Sequence, residues 1–199
     1  MDTVVVVPTY NEVENLRTLC EGILRHLPHA RVLIVDDNSP DYTGALADEL
    51  HAEDPEHVHV LHRKSKSGLG AAYVAGYTHA LESWPDARCF VQMDADLSHD
   101  PAYLPGLVGQ AAHADLVVAS RYVDGISIVN WPLERLIISK LGTAFARIVT
   151  GLSITDCTAG FKCYRRETLE AIGLDRLRSN GYVFQVESSF RAYRLGFRL

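Results

Sequence analysis

The stretch TVVVVPTYNEVENLRTLCEGILRHL, residues 3–27, holds a strand, a break and a helix in that order. Residues 3–7 are a β-branched run, too short for a helix and apolar enough to be covered on both faces. Pro8, Thr9 and Tyr10 interrupt it. Asn11 then precedes an amphipathic helix, and Glu14 three residues later predicts a capping box. Val13, Leu16, Leu19, Cys20, Ile23, Leu24 and Leu27 follow helical spacing. The same alternation continues outward, with strands predicted at 31–35, 58–61, 89–93 and 116–119 and helices at 43–53, 71–83 and 103–112. Strands that alternate with helices imply right-handed crossovers and an α/β fold, a mainly parallel sheet flanked by helices.

In such sheets ligands sit at the carboxyl ends of the strands. The polar clusters fall there, at 8–12, 36–41, 63–70 and 94–100, and point to a nucleotide and a cation. Neither GxGxxG nor GxxxxGK[ST] occurs, which excludes a dinucleotide fingerprint and a P-loop. Asp94-Ala95-Asp96 follows the strand at 89–93. Two carboxylates at a strand end can hold Mg²⁺ or Mn²⁺, hard cations that also bind diphosphate oxygens. Taken alone, the pair reads equally well as a solvated acidic loop.

The whole chain has 199 residues, within the range of a single domain spanning 1–199. A hydrophobic fraction of 47% with 22% charged residues excludes disorder, collagen and coiled coil. The net charge of −6 argues against nucleic acid as a partner. That charge is uneven. Residues 1–120 carry 18 acidic and 7 basic side chains, whereas 121–199 carry 7 acidic and 12 basic. Cys20, Cys89, Cys157 and Cys163 have no CxxC spacing and fit a reducing compartment. No basic leader is visible before the first strand, and no apolar run approaches the ~20 residues that span a bilayer.

Beyond residue 120 a helix is predicted at 131–149, with Leu133, Leu136, Ile137, Leu141, Ala144, Phe145, Ile148 and Val149 on one face. Such a stripe packs on a core or lies at a membrane interface. Residues 156–166 read as loop and strand, 181–195 as a helix, and 196–199 as the start of a strand. The nine histidines have no metal-ligand spacing; His62 and His99 lie near strand ends.

VVVVPTYNE (4–12), VDDNSPD (35–41), GLGAA (68–72) and DADLSHDP (94–101), in this order, resemble the family 2 glycosyltransferases of GT-A, Rossmann-like fold. SRY (120–122), NWPLERLIISKLG (130–142), DCTAGFKCYRR (156–166) and GYVFQVE (181–187) resemble the polyprenol-phosphate (dolichol-phosphate) mannosyltransferases within that family. The resemblance implies that Pro8, Tyr10, Glu12 and Asp37 line the donor nucleotide pocket. It implies that Asp94 and Asp96 hold the metal and the donor diphosphate. Members often carry Gln where Ser98 stands; its shorter hydroxyl is a weaker third metal ligand. Arg121, Arg135 and Ser139 would bind the acceptor phosphate, and the resemblance implies Asp96, Arg121 and Arg135 as the catalytic set. Arginine suits this because its planar fork meets phosphate oxygens in pairs.

The implied reaction moves mannose from GDP-mannose to a polyprenyl monophosphate by inverting, metal-dependent single displacement, with Mg²⁺ or Mn²⁺. The acceptor has a second pKa of about 6 and arrives largely anionic, so it needs aiming more than a base. Asp156 and Glu187 are assigned orienting or structural roles rather than that of a base. The alternatives are a UDP-glucose-dependent polyprenyl-phosphate glucosyltransferase, a noncatalytic nucleotide-sugar-binding regulator and a nucleotidyltransferase. The acidic half, 1–120, is expected to serve donor and metal. The basic half, 121–199, is expected to serve the lipid phosphate and a membrane surface, with the protein peripheral on the cytoplasmic face. Family members usually continue past the strand that begins near Gly196, so a C-terminally truncated catalytic domain is expected.

Overall fold

A computed structural model describes residues 2–120 and 133–199, the stretch 133–141 by its backbone alone. Strands β1 (Thr3–Thr9), β2 (Arg31–Asp36), β3 (Val58–His62), β4 (Cys89–Gln92), β5 (Leu116–Val118) and β6 (Lys162–Arg165) form one sheet in the order β3-β2-β1-β4-β6-β5. The helices are α1 (Val13–His26), α2 (Thr43–Glu53), α3 (Leu69–Ser83), α4 (Leu104–Gln110), α5 (Leu133–Thr150), α6 (Arg166–Ala171) and α7 (Gly181–Arg194). The α/β expectation holds. Pairings β1–β2, β2–β3 and β1–β4 are parallel, while β6 runs antiparallel to both neighbours.

Alternation along the strands sorts side chains between two buried layers. Val5, Val7, Val32 and Ile34 face the layer of Leu16, Leu19, Ile23 and Leu104. Val4, Val6, Leu33 and Val35 face that of Tyr73, Tyr77, Phe90 and Phe184. With both faces covered, every residue of β1 is buried, which explains its unbroken β-branched run.

Three local expectations are corrected. The capping box at Asn11 does not form: Asn11 has φ 63°, and α1 begins after Glu12 without a side-chain cap of its own. The loop before α2 supplies the acceptors instead. Asn11 N–H donates to Ser39 Oγ (3.1 Å), Glu12 N–H to Thr43 Oγ1 (2.9 Å) and Val13 N–H to Asp41 Oδ2 (3.3 Å). Residues 196–199 form no strand, although the Arg198 carbonyl accepts from the amides of Asp115 and Leu116. Residues 101–110 are a 3₁₀ turn followed by the short α4, rather than one helix.

Chain order places β2 and β3 on one side of β1 and β4 on the other, so the topological switch lies between β1 and β4. The two strands part early there. Their register ends at Val6–Gln92, while β1 continues beside β2 to Thr9–Asp36. Pro8 brings no N–H with which to extend the ladder toward β4. Open α/β sheets bind ligands in the crevice outside the carboxyl ends of strands at such a switch point.

Candidate active site

Two groups of predicted residues lie at these carboxyl ends. The first lies at the ends of β1 and β2. Pro8 is buried, paired with Val35. Asp36 is buried and accepts from Thr9 Oγ1 (3.2 Å) and from Ser39 Oγ (2.6 Å), so it braces the loop. Asp41 is likewise engaged, by the Thr43 hydroxyl and amide. Asp37 is buried and forms an ion pair with Arg63, while its amide donates to the Thr9 carbonyl (3.1 Å). Tyr10 is half-buried, with Lys66 Nζ 3.7 Å above its ring centre. Glu12 is half-buried and accepts from Asn15 Nδ2 (2.9 Å). The four acidic residues thus differ in their partners: Asp36 and Asp41 hold the backbone, whereas Asp37 pairs with Arg63 and Glu12 accepts from Asn15.

The second group follows β4. The Met93 amide makes the last bond to β1, donating to the Val6 carbonyl (3.3 Å). The next residue, Asp94, accepts from Tyr73 OH at Oδ1 (2.7 Å). Burial, and then the negative charge of Asp94, push the Tyr73 phenol far above its usual range, so it stays a donor. Oδ2 of Asp94 lies against Gly160, where a Cβ would sit only 3.1 Å away. Asp96 is exposed, and its Oδ1 accepts the Ser98 amide (3.0 Å) across a turn in which Leu97 has φ 58°. The Ser98 side chain is exposed.

Among the described residues, no group of three or more His, Cys, Asp and Glu is placed to hold a metal. The donor set still fits a hard dication. Mg²⁺-type ions are commonly held by one or two carboxylates and take their remaining oxygens from substrate phosphates and water. Asp94 and Asp96 would supply such a pair, one braced by Tyr73 and one exposed, at the end of β4.

Arg121 lies outside the described residues. Arg135 and Ser139 fall four residues apart in α5, but their side chains also lie outside the described residues. Farther along α5, Thr143 and Ala146 are buried, while Phe145 (70% exposed), Ile148 (84%) and Val149 (65%) face outward. At least here the apolar stripe does not serve the chain's own core. Part of the positive charge of the second half is structural: Arg166 pairs with Glu170, Arg191 with Glu187 and Arg198 with Asp115. Glu187 also accepts the amides of Arg178 (3.3 Å) and Ser179 (3.1 Å), an orienting role. His62 pairs with Asp48 (2.8 Å).

Several contributors were not visible as site residues in the sequence. Arg63, the partner of Asp37, lay in a polar loop with two lysines and no distinguishing pattern. Beneath Asp94 runs a buried polar network. Gln92 Nε2 donates to the Gly160 carbonyl (2.8 Å) and to Gln185 Oε1 (2.7 Å), while Tyr77 OH donates to Gln92 Oε1 (3.1 Å). Lys162, fully buried, donates to the Gln185 carbonyl (2.6 Å) and Ser189 Oγ (2.9 Å). Its ammonium is pulled down to about 7 by burial, against the opposing charge of Asp156. Asp156 is itself buried and accepts the Thr158 amide (3.2 Å) and hydroxyl (3.1 Å).

Comparison with known proteins bears on the family and the fold. The chain is 49% identical over 199 residues to undecaprenyl-phosphate mannosyltransferase of Micrococcus luteus, covering 100% of this chain and 81% of that protein. It is 48% identical over 196 residues to polyprenol monophosphomannose synthase of Mycolicibacterium smegmatis, covering 98% and 73%. In fold it is similar to the mannosyltransferase PcManGT from Pyrobaculum calidifontis in complex with GDP-Man and Mn²⁺ (TM-score 0.63, 19% identity). That likeness covers 98% of this chain and 53%, about half, of the other. The model for "Glycosyl transferase family 2" matches residues 4–173. The chain belongs to glycosyl transferase family 2.

Proposed function

We propose that the protein transfers a mannosyl group from GDP-mannose to a polyprenyl monophosphate, inverting the anomeric centre in a single displacement. The observation that carries the reading is the placement of Asp94. It stands at the end of β4, at the switch point, braced at Oδ1 by Tyr73 and pressed at Oδ2 against Gly160. The choice of mannose and lipid phosphate is supported by the names of the two relatives at 49% and 48% identity.

In this reading Pro8, Tyr10, Glu12 and Asp37 line the nucleoside pocket, with Arg63 holding the Asp37 carboxylate in place. Asp94 and Asp96 hold Mg²⁺ or Mn²⁺, with Ser98 beside them. The metal, when bound, offsets charge that builds on the departing nucleoside diphosphate. Arg121, Arg135 and Ser139 take the acceptor phosphate, whose anionic oxygen is the nucleophile. The chain's own contribution is then positioning and preorganised charge rather than proton removal. The outward Phe145, Ile148 and Val149 enter the membrane interface beside that acceptor, on the cytoplasmic face. All four cysteines are buried and none is in a disulfide, as suits a reducing compartment.

The test is a radiolabel-transfer panel of GDP-mannose and UDP-glucose against polyprenyl phosphate, with and without EDTA. Mannosyl lipid should form only from GDP-mannose and vanish with EDTA. Transfer from UDP-glucose alone would replace this reading with the glucosyl one. Nucleotide-sugar binding with no transfer would make the protein a regulator, and pyrophosphate release would make it a nucleotidyltransferase.

A further inference from the structure

Asp94 stands where the chain leaves the sheet. The Met93 amide still donates to the Val6 carbonyl of β1, whereas the Asp94 amide, which alternation turns to the opposite edge of β4, lies past the last β4–β6 pair at Gln92–Lys162. It donates to His99 Nδ1 at 3.1 Å. A backbone N–H that leaves a ladder must find another acceptor or lose a hydrogen bond. Here the acceptor is an imidazole five residues ahead. Nδ1 can accept only when the ring proton resides on Nε2, so this bond also sets the tautomer.

The ring has a second attachment. It lies nearly parallel to Phe161, with centres 5.0 Å apart and planes at 12°. Its Cε1 is 3.4 Å from the point where a Cβ on Gly160 would stand. Gly160 is the residue that backs Oδ2 of Asp94, and its carbonyl is fixed by Gln92 Nε2 (2.8 Å). His99 therefore bridges the two segments that enclose the Asp94 carboxylate, the 94–100 turn and the 160–161 stretch ahead of β6. Tyr73 fixes Oδ1, Gly160 backs Oδ2, and His99 fixes the backbone from which the carboxylate projects.

We propose that His99 is a positioning residue for Asp94, holding the Asp94 main chain through Nδ1 and the opposing wall through its stacked ring. The proposal rests on the reading of Asp94 as a holder of the metal and donor diphosphate. Groups that orient a ligand without touching the ion commonly change metal affinity about 10- to 100-fold when removed.

Three variants separate the possibilities. His99→Phe keeps a ring to stack on Phe161 and removes the acceptor. His99→Asn loses the ring but can place Oδ1 close to where Nδ1 stood. Asp94→Asn tests the underlying reading. The primary measurement is Mn²⁺ binding in the presence of GDP, followed by electron paramagnetic resonance. Mannosyl transfer is measured in parallel, with thermal melting as a control for folding.

His99→Phe should weaken Mn²⁺ binding about tenfold or more and lower kcat, leaving the KM for the lipid phosphate unchanged. His99→Asn should recover Mn²⁺ affinity to within about threefold of wild type, although it loses the stacking that supports folding. A purely structural histidine predicts the reverse order, with the Asn variant worse than the Phe variant in both melting and activity. The proposal falls if His99→Phe binds Mn²⁺ as wild type does while Asp94→Asn does not. It also falls if His99→Asn is as impaired in Mn²⁺ binding as His99→Phe. Should His99→Phe fail to fold, hydrogen exchange at the Asp94 amide decides: protection in both wild type and His99→Asn supports the proposal, and fast exchange in wild type overturns it. If Asp94→Asn itself leaves Mn²⁺ binding unchanged, the assignment of Asp94 is wrong and the role of His99 goes with it.

Discussion

Replacing Lys162 by Met should change how stability depends on pH more than whether the protein folds. Lys162 is fully buried on β6, and its Nζ reaches the Gln185 carbonyl, Ser189 Oγ and, at 3.4 Å, Ser188 Oγ. Burial lowers its pKa from 10.5 to about 7. Between those values the unfolded chain binds a proton that the folded chain has largely released. Stability therefore rises with pH across this window and is lost as pH falls toward the folded value. One proton corresponds to about 1.4 kcal/mol per pH unit, so about 2 kcal/mol should accrue between about pH 7.5 and pH 9. In the Met variant that contribution is absent. The Gln185 carbonyl is not orphaned, because the hydroxyls of Ser188 (3.2 Å) and Ser189 (3.0 Å) also donate to it. Urea unfolding of both proteins, followed by far-UV circular dichroism at the two pH values, measures the effect. Groups that titrate in both proteins cancel in the difference. Wild type should gain about 2 kcal/mol on the variant as pH rises; a difference that stays flat would refute the argument.

Gly70→Ala places a Cβ 2.4 Å from the Ser179 carbonyl oxygen and 3.0 Å from Phe184 Cδ2. It should cost about 2 kcal/mol and lower Tm by roughly 4–8 °C in calorimetry. Arg63→Ala leaves the buried Asp37 carboxylate without its guanidinium and should destabilise by about 3 kcal/mol. Combining it with Asp37→Asn should restore much of the stability in urea unfolding but not the affinity for GDP, measured by calorimetric titration. Changing Phe145 and Ile148 together to Ser should abolish co-flotation with anionic lipid vesicles and leave Tm within about 2 °C, since both side chains are exposed.

The legibility of the fold varied along the chain for a physical reason. In residues 3–118 strand and helix periods alternate, and β1, β2 and β4 were readable because a strand covered on both faces is apolar nearly throughout. The cap of α1 was misread because its acceptors, Ser39, Asp41 and Thr43, come from a loop almost thirty residues away. Local sequence carries no sign of such a partner. Lys162 was harder still. Beside Phe161 and Cys163 it has the alternation of a strand with one wet face, yet β6 is inserted between β4 and β5 and its lysine is enclosed by α7.

The site divides along the same line. Asp94, Asp96, Asp37 and Tyr10 announced themselves by position, because an α/β sheet collects polar residues at its strand ends. What those residues can do was not legible. Asp36 and Asp37 are neighbours, but one braces a loop and the other faces Arg63. His99 lay near a strand end without any visible target. Sequence alone thus determined the order of elements, the family and the types of residue at the strand ends, because these follow from short-range periodicity and from motifs. Only the tertiary structure decided which carboxylates are engaged, which cation is buried and which histidine meets Asp94. Hydrogen-bond partners and burial depend on elements that are distant in the chain and adjacent only after the sheet has assembled.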